Sequence, residues 1–149
     1  MPNFQQVKIL PYAAQELFKL VLDVQSYPEF LPWCKAARII SESDDHIIAE
    51  LVIQAKGFSD KYQSKITPKI ISEDIYSIQV EAISGPFKYL NNLWLFSKQG
   101  NSTKIEFSIK FEMKFTLLNK LIELFFADAT SKIIDAFEKR AITQLTKKT

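Results

Sequence analysis

Ile105, Phe107, Ile109, Phe111, Met113 and Phe115 alternate with Lys104, Glu106, Ser108, Lys110, Glu112 and Lys114. One face is wholly apolar and the other wholly polar, which predicts a long antiparallel strand with one side in water. The same period of two recurs upstream. Phe4–Leu10 reads as a first strand ended by Pro11, and Lys35–Ile40 as a second, followed by a turn cluster at Ser41–Asp45. Ile47, Ala49, Leu51, Ile53 and Ala55 share one face of a third. Gly57 breaks the run as a bulge or bend would, Phe58–Ile66 continues it, and Pro68 is expected to end it. Tyr76, Ile78, Val80 and Ala82 mark a further strand. A Gly85-Pro86 turn, the strand Phe87–Phe96 and a Gln99-Gly100-Asn101 turn then lead into the last one.

Three segments depart from the period of two. Ala13–Val24 places Leu17, Leu20, Val21 and Val24 on one helical face. Ser26–Leu31 reads as a second short helix, with Ser26 as its cap and Pro28 in its first turn. After the strands, Leu118, Ile122, Phe125, Ala129, Ile133, Ala136, Phe137 and Ala141 form a stripe, which predicts one helix from Leu117 to about Leu145. At 1.5 Å per residue it is about 40 Å long. The expected fold is α+β: an antiparallel sheet of about seven strands whose apolar face wraps a long C-terminal helix, with two short helices after the first strand. Alternation does not distinguish a packed inner face from a hollow one. On periodicity alone a solid core is favoured, because native interiors are close-packed.

The chain of 149 residues suits one domain spanning 1–149, and no repeat, linker or low-complexity segment divides it. A net charge of +2, with no block of like charge, is too small to argue for nucleic acid, and no DNA partner is expected. Cys34 stands alone and forms no internal disulfide, which fits a reducing compartment. Lys8 and Glu16 interrupt any signal-peptide apolar core, and no stretch reaches the ~20 apolar residues of a membrane span. A cytoplasmic location, or the matrix side of an organelle, is expected.

Catalytic chemistry finds little footing. His46, the single histidine, lies beside Asp44 and Asp45 in a polar turn, so neither a metal set nor a nucleophile–histidine pair is expected. Asp60 and Lys61 read as a surface pair. An inward Asp60 or Glu73 beside a tyrosine would reopen an acid–base role. Cys34 reads as a small buried hydrophobe rather than a reactive thiol.

Three motifs carry a family resemblance. Tyr27-Pro28-Glu29-Phe30-Leu31-Pro32-Trp33-Cys34 resembles the Tyr-x-x-Phe-Leu-Pro-Trp-Cys signature of the coenzyme Q-binding, START-like proteins, within the polyketide cyclase/dehydrase and lipid-transport superfamily. Gly85-Pro86-Phe87-Lys88-Tyr89-Leu90, then Trp94-Leu95-Phe96, is similar to a second family motif, and Asp135–Ala141 to its closing helix. The resemblance implies a helix-grip fold with a tunnel between sheet and last helix. It implies a carrier or chaperone of ubiquinone or a similar lipid that supports respiration, with no catalytic residue, metal or required cofactor. Transient membrane contact would place such a carrier at the inner membrane. Expected ligand-binding residues are Tyr27, Phe30, Leu31, Trp33, Tyr62, Phe87, Leu90, Trp94, Phe96, Phe107, Phe111, Phe125, Ala129 and Ile133; Tyr27, Tyr62 and Tyr89 are candidate donors to the head group. Bacterial members of the family carry the label of ribosome association toxins, so a ribosome partner is the alternative, with Lys132, Lys139, Arg140, Lys147 and Lys148 as its basic contacts. A cyclase or dehydratase is a third reading. Oligomeric state is not legible.

Overall fold

The computed structural model describes residues 3–55, 58–114, 128 and 132–145. Seven strands run in chain order: β1 (Asn3–Leu10), β2 (Cys34–Glu42), β3 (Ile47–Ala55), β4 (Phe58–Ile70), β5 (Ile75–Ser84), β6 (Phe87–Gln99) and β7 (Ser102–Met113). Helix α1 (Ala14–Leu22) and a 3-10 helix (Val24–Glu29) follow β1, and helix α2 (Ile133–Gln144) closes the described chain. Spatial order is β1-β7-β6-β5-β4-β3-β2, antiparallel throughout. A meander of short turns builds β2 to β7, and β1 crosses over to lie beside β7. The predicted Gly57 bend, and the predicted helix between Leu117 and Ser131 apart from Asp128, lie outside the described residues.

The period-two patterns place the inner face in rows. Tyr76, Phe96 and Ile105 pair across β5, β6 and β7; Ile78, Trp94 and Phe107 form the next row; Val80, Asn92 and Ile109 the next, with Ile66 of β4 beside Val80. Ser64, Tyr62 and Leu51 continue the same face on β4 and β3. These side chains meet Ala14, Leu17, Phe18 and Val21 of α1, and Ile134, Phe137 and Ala141 of α2, in one core.

Several local expectations change. Leu20 is only half-buried, and Phe18 takes its place on the buried face of α1. The segment after α1 is a 3-10 helix, and Ser26 sits inside it, where its hydroxyl donates to Asp23 Oδ2 at 2.6 Å instead of capping. Pro68 does not end β4. The strand runs on to Ile70 because β3 pairs no further than Ile66, so beyond it β4 has a neighbour on one side only and a residue without an N–H costs no ladder bond there. Between Gln63 and Ser64 the register with β5 slips: Gln63 pairs with Ser84 but Ser64 with Ala82, leaving Ile83 as a bulge residue. Gly85 follows at φ +108°, where a Cβ would lie 2.4 Å from that of Tyr62. Only glycine allows this close approach.

Candidate functional site: a neutral cavity under the C-terminal helix

The inner face is not filled everywhere. A cavity of about 80 Å³ lies between the middle of the sheet and the α1–α2 roof. Its walls are Val21, Val24, Tyr27, Leu31 and Trp33 from α1 and the loop after it, Ile133 and Phe137 from α2, and Leu51, Tyr62, Ser64, Ile66, Ile78, Val80, Leu90, Asn92, Trp94, Phe107 and Ile109 from the strands. A wider groove of about 920 Å³ lies outside it, between Phe30–Trp33 and the outer side of α2. Leu31, Trp33 and Ile133 line both spaces and so form the boundary between them.

The loop that supplies the boundary is held at several points. Leu31 N donates to Tyr27 O at 2.9 Å, Cys34 N to Leu31 O at 3.0 Å, and Gln54 N of β3 to Trp33 O at 2.9 Å. The Tyr27 hydroxyl donates to the carbonyl of Val21. Phe30 and Tyr27 meet Phe137 edge-on, with ring centroids 5.0 and 5.5 Å apart. The Arg140 guanidinium lies 5.1 Å from the centroid of the Phe30 ring and 3.0 Å from Glu29. Edge-to-face pairs and a cation over an aromatic face each add a fraction of a kcal/mol to about 1.5 kcal/mol. A ligand entering from the groove must part these contacts.

Among the described residues, none that lines the inner cavity carries a formal charge. Burial pushes the Tyr27 and Tyr62 phenols far above their ordinary pKa, so both stay neutral. Besides Tyr27 and the two tryptophans, Asn92, Tyr62 and Ser64 bring polar groups to the described lining. Asn92 is fixed by its neighbours: its Nδ2 donates to Ser108 O at 2.8 Å, and its Oδ1 accepts from Trp94 Nε1 at 2.9 Å. Tyr62 is backed by Phe87, 5.1 Å away between ring centroids. Ser64 is 1% exposed, and its Oγ meets no partner at full hydrogen-bond geometry among the described residues; its nearest polar neighbour is the Tyr62 phenol, whose pKa it lowers against the larger upward push of burial. An unsatisfied buried hydroxyl costs about 1–3 kcal/mol.

The predicted binding residues divide accordingly. Tyr27, Leu31, Trp33, Tyr62, Leu90, Trp94, Phe107 and Ile133 line the cavity. Phe30 faces the outer groove. Phe96, Phe87 and Phe111 do not reach the space: Phe96 is wholly buried against Trp94 and Phe18, and Phe87 and Phe111 pack on each other behind Tyr62. Phe125 and Ala129 lie outside the described residues. Tyr89 is no head-group donor, since it pairs with Glu112 on the outward face. Tyr27 spends its proton on Val21. Ser64 and Asn92 were not anticipated. Their one signal was a polar residue on an apolar parity, between Tyr62 and Ile66 and between Leu90 and Trp94.

The two carboxylates that could have reopened an acid–base role lie away from the cavity. Asp60 is exposed at the strand end, with its Oδ1 accepting from Lys61 N, and Glu73 is exposed in the β4–β5 turn. His46 bonds Asp45 and Ser43 in its turn, and no metal-holding cluster occurs among the described residues. Burial raises the Cys34 pKa to about 11, which leaves a thiol rather than a thiolate at neutral pH. Among the described residues no helix is long and apolar enough to cross a membrane.

A seven-stranded antiparallel sheet with a C-terminal helix over its inner face defines the architectural class, and comparison with known proteins gives the family. Residues 10–138 match the family described as polyketide cyclase / dehydrase and lipid transport, and the chain belongs to it. It is 52% identical over 141 residues to the ribosome association toxin RatA of Rickettsia prowazekii, covering 95% of this chain and 97% of that one. It is 27% identical to the mitochondrial coenzyme Q-binding protein COQ10 homolog B of Xenopus laevis, over 93% of this chain and 57% of that one. The solution structure of an 18 kDa Caulobacter crescentus protein, 34% identical, superposes with a TM-score of 0.74 over 95% of this chain and 96% of its own. A START superfamily protein of Mycobacterium smegmatis, 15% identical, gives 0.75 over 95% and 97%, a likeness of fold. The START-like helix-grip fold expected from the motifs is therefore the fold of this chain.

Proposed function

We propose that the chain is a ribosome-associated regulator of the same kind as its RatA relatives, binding the large ribosomal subunit. The observation that carries this reading is 52% identity across nearly the whole of both chains to a protein named for ribosome association. Two of its five expected cationic contacts are paired, Lys132 with Asp128 at 3.1 Å and Arg140 with Glu29 at 3.0 Å, while Lys147 and Lys148 lie outside the described residues. Binding should therefore depend less on salt than that of a basic stripe. Sedimentation of the protein with isolated bacterial subunits tests this. Cosedimentation with the large subunit, and fewer joined ribosomes, is expected; a protein that stays at the top of the gradient at every salt concentration sinks the reading.

A second reading is favoured by the cavity. An uncharged, largely apolar space under the last helix suits a lipid, and a coenzyme Q-binding relative points to ubiquinone, carried or presented at the inner membrane. As it stands the space is small beside the roughly 300–1,000 Å³ of ordinary ligand pockets, so a quinone with its tail needs the boundary at Leu31, Trp33 and Ile133 to move. Detergent-free purification from a ubiquinone-containing bacterium, followed by mass spectrometry of an organic extract, tests it. Near-stoichiometric quinone supports a carrier; a clean extract together with no uptake of added quinone removes it. The two readings are compatible in one molecule, since the ribosome would meet the outside of the fold.

A further inference from the structure

We propose that Ser64 is the head-group contact of the inner cavity, which takes the neutral, oxygen-bearing end of an apolar molecule while the rest of that molecule runs past Leu31, Trp33 and Ile133 into the outer groove. The inference rests on the second reading above and specifies its ligand.

Four observations carry it. First, Ser64 is 1% exposed, lines the cavity, and its Oγ meets no partner at full hydrogen-bond geometry among the described residues. Buried hydroxyls are nearly always partnered, so one aimed into a cavity marks the place where an oxygen from outside the chain fits. Second, the site is built. The register slip between Gln63 and Ser64 and the close approach of Gly85 to Tyr62 set this stretch of β4, and the bonds to Trp94 and Ser108 orient the Asn92 amide nearby. Third, no described residue that lines the cavity bears a charge. A serine hydroxyl donates and accepts, so it matches a carbonyl, hydroxyl or ether oxygen. A carboxylate or phosphate would lose its water with no cation to replace it. Fourth, the inner space of about 80 Å³ suits an end rather than a whole lipid, and the groove of about 920 Å³ adjoins it across three apolar side chains.

Both tryptophans, Trp33 and Trp94, line the cavity, so quenching of their fluorescence by a benzoquinone bearing a ten-carbon tail reads occupancy directly. Decan-1-ol and decanoate then compete against it at pH 7.5. The expected result is stronger displacement by the alcohol than by the carboxylate. Ser64→Ala should weaken quinone binding about five- to tenfold, with the melting temperature unchanged or raised, because an unpartnered hydroxyl is gone. Ser64→Cys keeps the side-chain shape and a weak donor, and should fall between the two, which guards against a folding defect in the alanine variant. Equal affinity in wild type and both variants overturns the head-group assignment and leaves the apolar-ligand reading standing. Stronger displacement by decanoate overturns the neutral-ligand claim. A wild type that takes up no quinone overturns the head-group assignment and the lipid reading together.

Discussion

Two ends of the same inner sheet face are built differently. At the end under α1, the row Tyr76–Phe96–Ile105 is packed solid: Phe18 lies 5.0 Å from Tyr76 and 6.2 Å from Phe96, and Phe96 is 0% exposed. Two rows away, Val80, Asn92 and Ile109 sit under the α2 roof with a cavity over them. The strands are the same at both ends, but β4 and β5 slip register only beside the hollow one, where Gln63 pairs with Ser84 and Ser64 with Ala82. Side-chain volume and polarity differ too, with phenylalanine at one position and asparagine four residues earlier on the same face of β6. The sheet supplies the frame, and a local slip together with a few side chains within its rows decides whether it is core or container.

The sharpest way to break this contrast is truncation at the solid end. Phe96→Ala is expected to cost about 3–5 kcal/mol in denaturant unfolding, since close-packed neighbours cannot collapse into the hole. A loss below about 1 kcal/mol would mean that the α1 end is no tighter than the other. Next comes the turn that shapes the hollow end. Gly85→Ala forces a side chain onto a backbone at φ +108° and drives its Cβ to within 2.4 Å of that of Tyr62. A loss of about 2–3 kcal/mol is expected, together with weaker quenching by the quinone probe because the Tyr62 wall is displaced. Unchanged stability would show that β4 yields there and that the cavity's shape is not set by the bulge.

Much of this contrast was legible in the chain and part was not. Residues 104–113 announced their faces fully, because alternation is a local property of one strand. The motif Tyr27–Cys34 announced the family and, through it, a roof over the sheet. Pro68 misled, since whether a proline ends a strand depends on what lies beside it, and β3 stops short for reasons outside that segment. The aromatic residues misled in another way. Phe96 shares the parity of Trp94 and Leu90, Phe111 pairs with Leu90, and an irregularity before Tyr89 turns Phe87 to the same face, but lining a space rather than packing behind it depends on what lies above each row. Ser64 and Asn92 were readable as polar residues breaking apolar rows. That signal says only that something unusual occurs there; the register that brings the two strands to one cavity is a tertiary fact.

A smaller substitution sharpens the contrast from the hollow side. Val80 is partly buried and faces the cavity. Val80→Ile adds one methylene to open space, so a gain of up to about 0.8 kcal/mol is expected from burial, with quinone uptake reduced. Additions to a filled core usually cost about 1–3 kcal/mol. A destabilised Val80→Ile protein would therefore show that this row behaves as solid core and that the space is not available to a side chain.

The smallest effect concerns what holds the roof down. Lys8 of β1 reaches up to α2, with its Nζ 2.5 Å from Glu138 and 3.0 Å from Asp135. The hydrogen bond to Glu138, then that to Asp135, raises the Lys8 pKa above its ordinary 10.5. A raised folded-state pKa means that the native protein holds this proton more tightly than the unfolded chain. The contribution is therefore complete below about pH 10 and is lost as pH climbs through the folded value. With Asp135 half-exposed, screening keeps it to within about 1 kcal/mol. Cys34, raised to about 11, titrates in the same alkaline range, so the measurement is the difference between wild type and Lys8→Met from pH 8 to 11.5. That difference should shrink towards zero as pH rises. At pH 8 the variant should exchange amide hydrogens faster in α2 but not in α1, because the lysine ties down only the helix over the hollow end. Equal acceleration in both helices would mean that the two ends of the sheet open as one unit, and the division between core and container would then be one of packing alone.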